Sequence, residues 1–467
     1  MNFVELRFWG LLIAGLLGIA LVRLVLTRGF GRRLVTFDRG ALCVLGLFLL
    51  ACVSVTTVLI YLTVTVGSFL ALSWLTRHPQ RGFRSWLLVL IPLQLLPLLH
   101  YKYANFLLND ALALGFDSLR HLVIPVGISF YTFQIIGFVV DTLGYRKPLP
   151  RFLDFMNFAG FFPQIVAGPI ERRAELLPQM EGFRFRWRAG DIDEGATWIV
   201  LGLFFKLCLA DNAALYFHGQ SPDNPFLVWL DNLLFGLRIY YDFAGYSLVA
   251  IGLGRCLGIQ LTLNFLSPYC SSSIAEFWRR WHITLSQWFR DYVYVPLGGS
   301  RTSRWWLNIA VVFVVSGIWH GAGWNFIAWG ALHGLFLIGN RVLGPRLHLP
   351  RALAWGCTFV AAIFAWLCFY ETRNAVLFAK LQTLLNPAAY SLGSLREAMA
   401  YRSSADLFVL GCFLALTIGI MTLEWLSILK RNQPYALLRR PVVLVLLVVL
   451  TVLLAPGKNN AFIYFAF

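Results

Sequence analysis

Three histidines stand where an imidazole needs a polar partner or a task. His282 lies in EFWRRWHITLSQWFRDYVYVPLGG, residues 276–299, and His320 and His333 lie in SGIWHGAGWNFIAWGALHGLF, residues 316–336. Burying an unpartnered ring nitrogen in apolar surroundings is expensive. Gly321 and Gly323 follow His320, so the backbone there can bend tightly or let a chain-like substrate pass. Trp319 and Asn325 flank the same turn. His333 has a structural alternative, donation to a neighbouring carbonyl. Thirteen positions separate His320 from His333, about 19 Å along an unbroken helix, so the two meet one small substrate only if the glycines break the helix. No serine or cysteine sits in a nucleophile elbow, and neither HExxH nor GxGxxG occurs. The economical chemistry is general-base catalysis, in which histidine takes the proton of a hydroxyl as its oxygen attacks an activated carbonyl. That chemistry requires no metal.

Around His282 the polar groups are dense. Glu276 and Arg280 are four apart and share a helix face, and Arg279, Arg290 and Asp291 stand among Trp278, Trp281, Trp288 and Phe289. An interfacial amphipathic helix, with arginines at lipid phosphates, would have the same composition. One helix can serve both purposes, anchored on one side and lining a cavity on the other.

The elements holding these residues are membrane helices. Of 467 residues, 59% are hydrophobic and only 13% charged, against about 25% charged in a soluble domain. No Asp, Glu, Lys or Arg occurs in the 37 residues 40–76 or the 36 residues 305–340. Each gap can hold two crossings of roughly 20 residues. Further uncharged runs cover 85–101, 121–140, 352–370, 407–423 and 441–457. The fold class expected is an all-α polytopic integral membrane protein with about 10 to 13 transmembrane helices, plus re-entrant or short tilted helices around a central tunnel. Those irregular pieces are expected within 150–296, where Gly, Pro and polar residues interrupt the apolar text, because backbone freed at membrane depth must be buried or line a wet cavity.

The net charge of +17 does not mark a nucleic-acid protein. The cations fall in short clusters between apolar runs, at 28–39, 77–84, 172–188 and 430–440, as in cytoplasmic loops facing anionic lipid. This places the N-terminus outside, the first crossing near 8–26 and the C-terminus outside. The eight cysteines have no metal-ligand spacing, and most behave as small hydrophobes.

The chain resembles the membrane-bound O-acyltransferase family, in its bacterial branch of alginate O-acetylation and teichoic-acid D-alanylation membrane proteins. The matching text is FFPQIVAGPIERR (161–173), YYDFAGYSLVAIGLGRCLGIQLTLNFLSPY (240–269), SIAEFWRRWHITLSQWFRDYVYVPLGGSR (273–301), WHGAGWNFIAWGALHG (319–334) and the terminal FIYFAF (462–467). The match is weaker over residues 1–118, expected to be N-terminal transmembrane helices, than over the catalytic core at 119–467. The resemblance implies His320 as the essential histidine and His282 as a second tunnel histidine, with Glu276, Arg279, Arg280, Trp281, Asp291, Trp319, Asn325 and His333 as candidate tunnel residues. Two departures stand out. Leu248 and Val249 follow FAGYS where Asp and Met are usual, leaving Asp242 as the nearby acid, and Ala466 replaces a common Gln.

The family implies transfer of acetyl from acetyl-CoA, or from an acyl-carrier thioester, toward an exported polysaccharide at the bacterial inner membrane. No bound cofactor or metal is expected. Expected partners are membrane lipids, an extracytoplasmic acetyltransferase or esterase-like enzyme and the polysaccharide synthesis machinery. One of Arg279 and Arg280 would hold the CoA phosphates while the other pairs with Glu276. The alternatives are transfer of D-alanine or another acyl group from a carrier protein, acylation of a lipid or protein hydroxyl, and a transporter or channel without chemistry.

Overall fold

Apolar text punctuated by Gly and Pro folds into helices joined by short turns. The computed structural model describes residues 3–29, 34–78, 83–217, 223–431, 433–457 and 460–463, and contains no strand among them. Among the described residues, seven segments are long and apolar enough to cross a membrane: 6–27, 55–77, 84–103, 189–216, 324–347, 351–370 and 404–431. Three shorter apolar helices cover 128–143, 305–320 and 441–454. The chain is an all-α multi-pass membrane protein. It divides into two compact units, residues 1–199 with 246–262, and residues 200–245 with 263–467.

The first unit contains α1 (Leu6–Gly29), α2 (Leu34–Ala51), α3 (Val55–Arg77), α4 (Leu87–Leu98), α5 (Ile128–Leu143), α6 (Phe152–Ala159), α7 (Arg173–Glu181) and most of α8 (Ala189–Phe204). Ser54 caps α3 by accepting from the Thr57 N–H at 3.2 Å, as an N-cap hydroxyl should. Sequence reading puts Asp38 and Arg39 in or beside a basic loop. They instead sit inside α2, where Arg39 pairs with Asp154 at 2.6 Å and Asp38 with Arg23 at 3.2 Å. Buried charges persist only when paired in this way. The run 121–140 becomes helical only at Ile128, after Pro125 and the left-handed Gly127 (φ 74°). Within GPIERR, buried Glu171 accepts from the Thr262 N–H at 2.6 Å and hydroxyl at 3.0 Å, and burial pushes its carboxyl up to about 8 despite those bonds.

The second unit contains α9 (Asp211–Tyr216), most of α10 (Pro225–Cys256), α11 (Ile274–Arg280), α12 (Ile283–Phe289), α13 (Trp305–His320), α14 (Trp324–Leu347), α15 (Arg351–Tyr370), α16 (Asn374–Leu385), α17 (Leu392–Ala400), α18 (Ser404–Arg431) and α19 (Pro441–Leu454). α6, α7, α11 and α12 are the short helices expected of the interrupted middle segment. α10 is not, for it continues through its glycines for 32 residues. α13 and α14 form a tight hairpin. A side-chain carbon on Gly330 would collide with the Phe313 carbonyl, and one on Gly317 with the Phe326 carbonyl. Only glycine lets the two backbones come this close.

Candidate active site

The site lies within the second unit and is built from α11, α12, the α13–α14 hairpin and the end of α15. α11 begins with Ser273, whose hydroxyl accepts from the Glu276 N–H at 3.1 Å. Glu276 reaches back to the Ser272 N–H at 2.8 Å, a variant of the capping box. It also takes the Arg280 guanidinium at 2.7 Å, as the spacing of four predicts. Burial alone would raise the Glu276 carboxyl, but the Ser272 bonds and the Arg280 charge outweigh it and hold the group below its usual range.

α11 ends at Trp281, and His282 makes the turn into α12 with left-handed backbone angles (φ 42°, ψ 56°). Such a conformation in a non-glycine residue is strained and is found at functional sites. Asn264 secures the turn. Its Oδ1 accepts from the Thr284 N–H at 3.2 Å and hydroxyl at 2.9 Å, and lies 3.2 Å from His282 Nδ1. A backbone N–H can only donate, so the Asn264 atom is the oxygen and Nδ1 carries the imidazole proton. The basic lone pair of His282 is therefore on Nε2.

His320 is the last residue of α13, and the chain runs extended through Gly321 and Gly323 before α14 starts at Trp324. The break required for His320 and His333 to approach one another is present. Asn325, Trp329 and His333 follow at intervals of four on one face of α14. The Trp329 ring lies 4.9 Å from that of His320 and 4.8 Å from that of His333. Trp319 performs the same service on the other side, 4.9 Å from His320 and 5.9 Å from His282. The three histidines thus form one series of edge-on rings separated by two indoles, and all three are buried. Asn325 fixes the hairpin to α15 by donating to the Cys368 carbonyl at 3.1 Å, which holds Phe369 against His320 at 5.4 Å. Both ring nitrogens of His333, and the indole N–H groups of Trp278, Trp281 and Trp329, have no hydrogen-bond partner among the described residues.

The structure thus brings together His282, Trp319, His320, Asn325 and His333, with Trp281 packed 4.9 Å from Trp366. Glu276, Arg280 and Asp291 make their bonds outside this series, Asp291 with Arg290 at 2.7 Å. Arg279 is exposed on α11. An apolar groove of about 430 Å³ includes Trp278, Phe289 and Phe313 among its walls, with Arg290 and Arg341 also lining it. Trp278 lies 5.0 Å from His333, so the groove ends one ring away from the histidines. Arg279, four residues from the groove-lining Ala275, shares that face of α11. Asp242 is buried with Lys206 (3.0 Å), which also holds Asp211 (2.8 Å), and accepts from the Ile463 N–H at 2.8 Å. Phe462 then rests on Phe243 (5.9 Å), and Phe243 on His282 (4.7 Å). The Ala466 departure lies outside the described residues. No group of three His, Cys, Asp or Glu side chains suited to a metal occurs among the described residues.

Sequence reading missed Asn264, Trp329 and Arg341. The spacing of four that links Asn325, Trp329 and His333 was available as a signal for Trp329. For Asn264, 18 residues from His282, there was none.

Comparison with known proteins gives a consistent result. The chain is 38% identical over 344 residues to a Pseudomonas aeruginosa protein named probable alginate O-acetylase, a match covering 69% of this chain and 64% of that protein. It is 34% identical over 359 residues to the peptidoglycan O-acetyltransferase of Helicobacter pylori, covering 67% of this chain and 68% of that one. It is 30% identical over 236 residues to the teichoic acid D-alanyltransferase of Bacillus subtilis, covering 47% and 59%. The chain thus spans less than two thirds of the length of the Pseudomonas aeruginosa relative. The family model of membrane-bound O-acyltransferases matches residues 41–378, a stretch that includes α11 to α15 and all three histidines. By that match and these identities, the chain belongs to the membrane-bound O-acyltransferase family.

Proposed function

We propose that the protein is an O-acetyltransferase of the bacterial inner membrane, moving acetyl from a cytosolic thioester toward an exported polysaccharide. The observation that carries this reading is the buried series of three histidines and two indoles at the break between α13 and α14, within the segment shared with the family. His320 takes the proton of the acceptor hydroxyl as its oxygen attacks the thioester carbonyl. The tetrahedral intermediate then expels the thiolate, and the same proton goes to sulfur, leaving an ester and a free thiol. The Trp329 N–H, on the ring that packs against His320 and without an acceptor among the described residues, suits the developing oxyanion. His282, its tautomer fixed by Asn264, supports the site from the tunnel wall. Arg279, Arg290 and Arg341 around the apolar groove suit the phosphates of a CoA donor, because guanidinium binds phosphate through a rigid fork. In this reading the immediate acceptor is a hydroxyl on an extracytoplasmic partner enzyme.

The test is thioester consumption by purified protein in nanodiscs, with acetyl-CoA compared against acyl-carrier thioesters. His320→Ala, monodisperse and inserted, is expected to lose about 10²–10⁴-fold in turnover, with His282→Ala milder. Wild-type turnover in His320→Ala would remove the base assignment. The relation to the Bacillus subtilis protein favours a second reading, D-alanyl transfer, and preference for a carrier-bound aminoacyl thioester over acetyl-CoA would establish it.

A further inference from the structure

A second groove, of about 760 Å³, runs between α10, α15 and α18, away from the series of histidines. Its walls are apolar, among them Leu237, Phe359 and Leu414, and Ile418 on its rim is 64% exposed. α15 and α18 are both long and apolar enough to cross a membrane, so the groove lies along hydrocarbon. It extends from Arg351 to Phe359 on α15 and from Leu414 to Trp425 on α18, a length of about 12 to 16 Å at the helical rise.

One end differs from the rest. Among the described residues Arg351 is the only charged one lining the groove, and Trp355 and Trp425 stand near it, the residue types found at headgroup depth. The last turn of α18 adds Lys430 and Arg431. The acids close by are already engaged. Glu276 holds Arg280 and Ser272, and Glu424 turns away to accept from the Tyr240 hydroxyl at 2.8 Å. The mouth therefore carries uncompensated positive charge over an apolar floor.

We propose that this groove holds one anionic phospholipid, an acyl chain along its floor and the headgroup phosphate on Arg351. The lipid would lie behind Tyr269, whose ring lines the groove and packs 6.3 Å from Trp281. That places it next to the wall of the site without entering the reaction.

The full chain, reconstituted in phosphatidylcholine bilayers containing phosphatidylglycerol and released into native mass spectrometry, tests this. One phosphatidylglycerol is expected to be retained, enriched about fivefold over its share of the bilayer, as one basic side chain near a membrane surface provides. Arg351→Ala should remove the preference. Ala352→Trp, which fills the groove from an exposed position, should remove the lipid itself, and Ile418→Trp does the same should the first variant fail to fold. Arg346→Ala, outside the groove, should change nothing. Equal retention of the two lipids by wild type, or retention of phosphatidylglycerol unchanged in Arg351→Ala or in both groove-filling variants, would overturn the proposal. So would a dimer mass that disappears when the groove is filled, which would assign the face to a second copy.

Discussion

Asn264 holds the proton of His282 in place, and its effect on turnover is separable from its effect on folding. Removing its oxygen takes away the bonds it accepts from the Thr284 N–H and hydroxyl, a cost of about 1–3 kcal/mol in stability. It also frees the imidazole to exchange tautomers. Asn264→Ala is expected to lower the melting temperature and to reduce kcat roughly two- to tenfold, in proportion to one hydrogen bond, with donor KM unchanged. Asn264→Asp keeps an acceptor toward Nδ1 and should retain most of kcat. Equal kcat in the two variants would deny Asn264 its orienting role. At this scale the sequence was informative about types and silent about pairs. An imidazole inside an uncharged gap announces itself, whereas the asparagine that orients His282 is brought to it by tertiary folding.

The α13–α14 hairpin shows the same division among elements. The glycines after His320 permitted a break, and the break is there, with Gly321 and Gly323 extended between α13 and α14. The glycines of α10 read as interruptions yet sit in an unbroken helix. At Gly245 a side chain would meet the Gly202 carbonyl and Lys206, so that glycine serves close packing and not a bend. Sequence does not distinguish these two uses, since both select for a missing side chain. In the hairpin, Gly330→Ala would press on the Phe313 carbonyl and is expected to cost about 1–3 kcal/mol. Gly339→Ala, on the same helix with open space around it, should be neutral or stabilising by up to about 1 kcal/mol. Thermal unfolding followed by size exclusion in detergent compares them directly, and equal melting temperatures would contradict the close backbone contact.

For the molecule as a whole, composition and charge gaps were enough to establish a multi-pass helical membrane protein. They misjudged the charges of α2, because a residue's formal charge does not reveal whether a distant partner such as Asp154 awaits it. Orientation follows from the clustering of cations. With the basic end of α18 inside, as that clustering predicts, α15 is expected to carry the chain outward from Arg351 and α17 to lie outside. In a background lacking the eight native cysteines, Glu397→Cys is expected to react with an impermeant maleimide added to intact cells, and Arg346→Cys only after permeabilisation. The opposite pattern would invert the orientation. Reaction at both positions in intact cells would mean that α15 does not cross.

The ring series has one more consequence. Thioesters are energetic toward water as well as toward alcohols, and in the proposed reaction an acyl carbonyl enclosed by Trp319, Trp329 and Phe369 would meet few water molecules while it waits for its acceptor. Aromatic enclosure would then govern how acetyl is partitioned between ester and wasted acetate. Phe369→Ala, which opens that wall without removing a hydrogen-bond donor, should lower transfer while raising hydrolysis of the donor in the absence of acceptor, measured as acetate released per thiol formed. A variant that loses both reactions together would assign Phe369 to the geometry of catalysis and leave protection of the donor to other parts of the fold.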